Sequence, residues 1–174
     1  MSAFAARTAA ERLISRLGIN AAPVNVQKIA AELGLSIVSE NLGSDVSALL
    51  VTDGKSSIIG VHESHAATRQ RFSIAHEIGH FVLRHQFEPG EHVHVDRGRF
   101  ISERGLKASA GVDAKEIEAN QFAASLLMPA KLVRAHVARL GKGPLLEDEV
   151  REIAREFQVS EQAMTIRLTT LGLI

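Results

Sequence analysis

Residues 71–83 read Arg-Phe-Ser-Ile-Ala-His-Glu-Ile-Gly-His-Phe-Val-Leu, and no other stretch limits the fold as much. Phe72, Ile74, Ala75, Ile78, Phe81 and Val82 make the segment apolar on nearly all sides, which predicts a buried helix. His76, Glu77 and His80 sit inside it. Histidines four apart project from one helix face, one turn above the other. Burying two imidazoles and a carboxylate without partners costs several kcal/mol. The fold must supply those partners, either as backbone hydrogen bonds or as a cation. A metal ion removes the cost by taking the lone pairs. The i, i+4 spacing lets both imidazoles reach one tetrahedral Zn²⁺ at about 2.0–2.1 Å. Glu77 is then placed to take a proton from water that the metal activates, so the pattern points to hydrolysis.

A third ligand comes from further along the chain. Residues 115–129 read as a second apolar helix, stopped by Pro129. Two glutamates lie near its start. At about 100° per residue, Glu118 points about 160° away from Glu116, so only one can face a metal. The other is a first-turn carboxylate that complements the helix dipole. Glu116 and Asn120 are four apart and share a face, so a ligand at Glu116 would be backed by Asn120. The Glu116-x-x-x-Asn120 pair resembles the Glu-x-x-x-Asp ligand and supporting pair of other glutamate-ligated zinc peptidases, which favours Glu116.

Composition narrows the chemistry. The chain has 174 residues, no cysteine, no tyrosine and no tryptophan. Disulfides and cysteine-rich zinc sites are therefore excluded, and histidine and carboxylates must hold any metal. Lys+Arg and Asp+Glu are equal at 20 each, so the chain as a whole lacks the basic footprint of a nucleic-acid binder. No apolar run reaches the length of a membrane span. Arg7, Glu11, Arg12 and Arg16 interrupt the N-terminal alanines, which makes an amphipathic helix and not a signal peptide, and a cytoplasmic location is expected.

The remaining histidines are weighed as a group because tyrosine is missing. A zinc peptidase needs a donor for the tetrahedral oxyanion besides the metal. His62, His65, His92 and His94 lie in loops or at strand ends near the motif and are the candidates. Singly, each is more often a surface residue. His85 falls about 140° round a continued helix from His80, which argues against it as a fourth ligand.

Helices are expected over about 3–17 and 25–33, the second ended by Gly34. Strands are expected at 35–39, 47–51 and 57–61, with Asp53-Gly54 as a hairpin turn, and a further strand at 92–96. The metal helix should span about 66–85. Glycines 90, 98, 105 and 111 suggest a mobile loop over 86–112. Three helices follow, near 129–140, 145–157 and 160–170. The fold class is α+β: a small, mostly antiparallel sheet on a helical, zincin-like core (residues 1–130), then a C-terminal helical subdomain (residues 131–174).

Residues 71–85 together with 116–129 resemble the ImmA/IrrE family of bacterial metallopeptidases, and residues 23–35 resemble that family's opening helix. The likeness runs over about 5–135, with the two motif helices its most specific part. It implies one Zn²⁺ per chain, with His76, His80 and Glu116 as ligands and Glu77 as general base. It implies a protein substrate: a DNA-binding repressor or antitoxin-type regulator, in mobile elements, toxin–antitoxin loci or stress responses. The alternative is a metal-binding regulatory or sensor module without turnover, acting through protein or DNA contact. Residues 153–168 resemble a helix-turn-helix with Ser160 as cap. That unit offers Arg167 beside Glu161 and little other charge for DNA, so a packed helical unit or a partner surface is the plainer reading.

Overall fold

The computed structural model describes residues 2–43, 45–52, 56–85, 93–96, 110–141 and 143–174. Helix α1 (Ala3–Arg16) starts where Ser2 Oγ accepts from Ala5 N, and buries Ala6, Ala10 and Leu13 along one stripe. Helix α2 (Val26–Glu32) is capped by Asn25 Oδ1, which accepts from Lys28 N at 2.8 Å. It ends at Gly34, whose φ of +75° favours a residue without Cβ. Strands β1 (Leu35–Glu40), β2 (Ala48–Thr52) and β3 (Ser57–His62) follow, then helix α3 (Ala67–Leu83). Strand β4 (Val93–Asp96), helix α4 (Ala110–Leu127) and helices α5 (Ala130–Leu140), α6 (Glu147–Phe157) and α7 (Glu161–Thr170) complete the described chain.

The sheet order is β1-β3-β2-β4. It is mostly antiparallel, as expected, with one parallel pairing: β2 pairs antiparallel with both β3 and β4, whereas β1 lies parallel to β3. The reason is topological. Chain reversals after β1 and again after β2 return β3 to the direction of β1, and β1 takes the free side of β3. The expected turn at Asp53-Gly54 lies outside the described residues, as do Gly90, Gly98, Gly105 and most of the expected mobile loop. Gly111 belongs to α4, which begins earlier than the start near 115 read from sequence.

Register decides what the sheet offers the core. Leu50 lies opposite both Ile59 and His94, so these three share one face. Leu50 and Ile59 are buried, which places His94 on the inner face, while its neighbours Val93 and Val95 are exposed. A single buried cluster runs from Ala6 and Leu13 through Ile74 and Ile78 to Phe122, Val133, Ile153, Phe157, Met164 and Leu168.

Helices α3 and α4 meet closely at Gly79. A Cβ there would lie 3.1 Å from Phe122 Cδ1 and 3.3 Å from Ala119 Cα and O. Two of those atoms are α4 backbone, which cannot rotate away. Gly79→Ala gains up to about 1 kcal/mol of helix propensity but meets an overpacking cost of about 1–3 kcal/mol. We expect a net loss of about 1 kcal/mol in chemical denaturation, with weaker metal binding as α4 is pushed away. A variant as stable as the parent would show that α4 gives way freely.

Candidate metal centre

Helix α3 carries His76 and His80 on one face and α4 brings Glu116 to them. His76 Nε2 and His80 Nε2 are 3.0 Å apart. Glu116 Oε2 is 3.2 Å from His76 Nε2, and Glu116 Oε1 is 3.4 Å from His80 Nε2. Among the described residues, this trio alone brings three such donors within 4.8 Å of one another. The histidines are 3% and 1% exposed.

The hydrogen bonds behind the rings assign their tautomers. His76 Nδ1 donates to Asn120 Oδ1 at 3.0 Å, which leaves a lone pair on Nε2. His85 Nε2 donates to the Glu118 carboxylate at 3.0 Å, so a neutral His85 presents Nδ1 as an acceptor. His80 Nδ1 donates to it at 3.0 Å, and the His80 lone pair also sits on Nε2. Two lone pairs and a carboxylate therefore converge. Zinc ligands at about 2.0–2.2 Å in a tetrahedron lie about 3.3–3.5 Å from one another, close to the separations here. The donor set fits a divalent metal.

Ionisation states agree with that fit. Burial, helped by His76 and His94 alongside, drives His80 far below the usual imidazole value and keeps it neutral. Burial alone would raise the Glu116 carboxyl, but the His76 ring beside it and the hydrogen bond from the charged His94 outweigh it and hold Glu116 well below the usual carboxylate range. His94 lies between two carboxylates, with Nδ1 3.1 Å from Glu77 Oε2 and Nε2 3.1 Å from Glu116 Oε1. Burial opposes its charge, yet the bonds to Glu116 and Glu77 win and push it up to about 10. Glu77 itself is fully buried beside this cation.

Of the three candidate oxyanion donors among the described residues, His94 is the one brought to the trio, its ring 4.0 Å from that of His80. His62 and His65 stack on each other at 4.6 Å instead, and His62 Nδ1 engages Ser64. His92 lies outside the described residues.

Three supporting contacts differ from what sequence suggests. Asn120 bonds to His76, not to Glu116. Glu118 is not a solvated first-turn residue: it is 4% exposed and holds His85. His85 is not on α3 at all. Arg84 adopts a left-handed conformation at φ 53°, ending the helix, and the chain turns His85 back onto His80. The signal for this was faint, because a left-handed turn at an arginine has no sequence mark comparable to glycine. Metal-ligating histidines commonly donate their second nitrogen to an outer partner whose loss costs 10–100-fold in affinity. We expect His85→Ala and Glu118→Gln each to weaken metal binding by about that factor in competition with a chromophoric chelator. Unchanged affinity in both variants would show the chain to be incidental.

The helix-turn-helix forms as expected, with Ser160 Oγ accepting from Ala163 N at 3.1 Å and Gln158 left-handed between α6 and α7. Arg167, the one cation its second helix offers for DNA, turns inward. Arg167 is 2% exposed and donates from Nε to Met128 O at 2.9 Å. Burial first, then the nearby Arg7, lowers it to about 10. Its charge serves the core and cannot reach a phosphate.

Residues 30–169 match the family model Peptidase M78, described as the IrrE N-terminal-like domain. The chain belongs to this family of metal-dependent peptidases. A solved Mycobacterium tuberculosis transcriptional regulator has a similar fold, with a TM-score of 0.61 and 18% identity over 95% of this chain. The chain spans about half of that structure, 46% of its length. No curated protein matches the chain. Among the described residues, no helix is long and apolar enough to cross a membrane.

Proposed function

We propose that this protein is a cytoplasmic zinc-dependent endopeptidase that cleaves a regulatory protein, a DNA-binding transcriptional repressor or antitoxin-type partner. The convergence of the His76 and His80 lone pairs with the Glu116 carboxylate, next to a buried Glu77, carries this reading. Membership of a peptidase family supports it. So does the fold shared with a transcriptional regulator.

In this reading His76, His80 and Glu116 hold one Zn²⁺. Bound there, the metal supplies Lewis acidity toward a peptide carbonyl and acidifies water. Glu77 is the general base: it takes a proton from the attacking water and passes it to the leaving amine. Asn120, and Glu118 through His85, fix the imidazole tautomers. His94 keeps the Glu77 carboxylate in place through Nδ1, and its charged Nε2–H, held here by Glu116, would turn to the developing oxyanion. The substrate chain lies extended along the sheet edge at β4 by strand addition. Among the described residues β4 pairs with β2 alone, leaving its other edge for such pairing. The division at residue 130 assigns the chemistry to the first part and a packing or partner surface to the helices of 131–174.

The test is cleavage of a purified DNA-binding regulator encoded in the same locus. The purified chain should cut it, a chelator should stop the cut, and added zinc should restore it. Cleavage that persists in chelator would remove the metal from the mechanism.

A further inference from the structure

Arg71 is a buried cation that pairs with no carboxylate among the described residues. It stands on α3 and is 9% exposed. Its Nη2 donates to Val24 O at 2.9 Å and its Nε to Gln158 O at 3.2 Å. Both acceptors are neutral carbonyls. They tie three segments together, but they do not balance the charge, and buried charges are as a rule paired. Burial lowers the Arg71 pKa, with no carboxylate offsetting it. The two bonds use two of the five guanidinium N–H groups.

Arg71 also lines a solvent-open cavity of about 460 Å³ with Asn25, Gln27, Ala67, Gln70 and Gln158. That volume suits a small organic molecule. Its polar lining is one guanidinium and four side-chain amides, with no acidic residue. Two of the amides are already oriented. Asn25 uses Oδ1 to cap α2, which leaves its Nδ2 to donate. Gln70 donates from Nε2 to the carbonyls of Glu63 and His65 at 2.9 and 2.8 Å, which leaves its Oε1 to accept. The first turn of α3, at Ala67, has no side-chain cap, so the positive end of a 17-residue helix adds to the same field.

We propose that this cavity binds a small organic anion, its carboxylate or phosphate group on the uncommitted face of Arg71 and its other polar groups on the surrounding amides. The assignment stands apart from the metal centre and holds whether or not the chain is a peptidase.

The test uses the full ¹⁵N-labelled chain at pH 7, titrated with sodium phosphate and separately with sodium acetate, against sodium chloride at matched ionic strength. The Arg71 Nε–H signal and the Ala67 and Gln70 amides should shift saturably with phosphate or acetate and not with chloride. The anion that saturates identifies the head group. Ala67→Glu puts a negative charge at an exposed lining position and keeps Arg71 and both its bonds. It should weaken binding at least tenfold, while Ala67→Gln, of similar size, should not. Arg71→Gln should abolish binding, and if that variant fails to fold the Ala67 pair still decides. Shifts no different from chloride, or equal binding by the two Ala67 variants, would overturn the proposal, as would equal losses in both.

Discussion

Glu77→Gln lowers peptide hydrolysis by about 10²–10⁴-fold, the usual worth of a general base, while metal content and fold stay unchanged. Glutamine keeps the shape of the side chain and can still accept a hydrogen bond from His94, 3.1 Å from Glu77 Oε2. What it loses is the capacity to take a proton. Glu77 is one residue from His76 and so about 100° round the helix, which sets it beside the metal donors without joining them. The measurement is repressor cleavage by wild-type and variant protein at equal zinc occupancy, paired with derepression of the target gene in cells. A variant that leaves the repressor uncut and yet derepresses normally would favour the sensor reading, in which the same metal site signals without turnover.

His80→Ala loses the bound metal and destabilises the metal-free chain by about 2–4 kcal/mol. The imidazole is 1% exposed and joins two systems at once. Its Nε2 faces His76 and Glu116, and its Nδ1 bonds to His85. Truncation leaves a cavity where the ring was and strips His85, itself bonded to buried Glu118, of its partner. Denaturant titration of metal-free wild type and variant isolates the packing loss from the metal loss. Equal stability of the two metal-free proteins would mean that the ring is held by the metal alone.

The clustering of His76, His80 and Glu116 is legible in sequence wherever helical geometry applies. His76 and His80 follow from i, i+4 spacing in an apolar helix, and α4 does turn Glu116 and Glu118 to different sides, one to the trio and one to His85. Angles on a helical wheel fail where the helix stops. His85, placed about 140° from His80 on a continued α3, is beyond the left-handed Arg84 and returns to the site. Spacing on one helix pairs Asn120 with Glu116, but the His76 ring of another helix reaches it first. His94 could not be separated from His62 and His65 by position alone. Strand register does so, by setting His94 opposite buried Leu50 on the inner face. Sheet order, and with it the parallel pairing of β1 and β3, rests on tertiary packing that periodicity does not encode.

Anomalous diffraction at the zinc edge from crystals of the zinc-loaded protein tests the metal centre most directly. The proposed centre predicts one strong peak per chain within about 2.0–2.2 Å of His76 Nε2, His80 Nε2 and a Glu116 carboxylate oxygen, and its disappearance in crystals of His80→Ala. A zinc peak at other residues, or one that survives in His80→Ala, would contradict it.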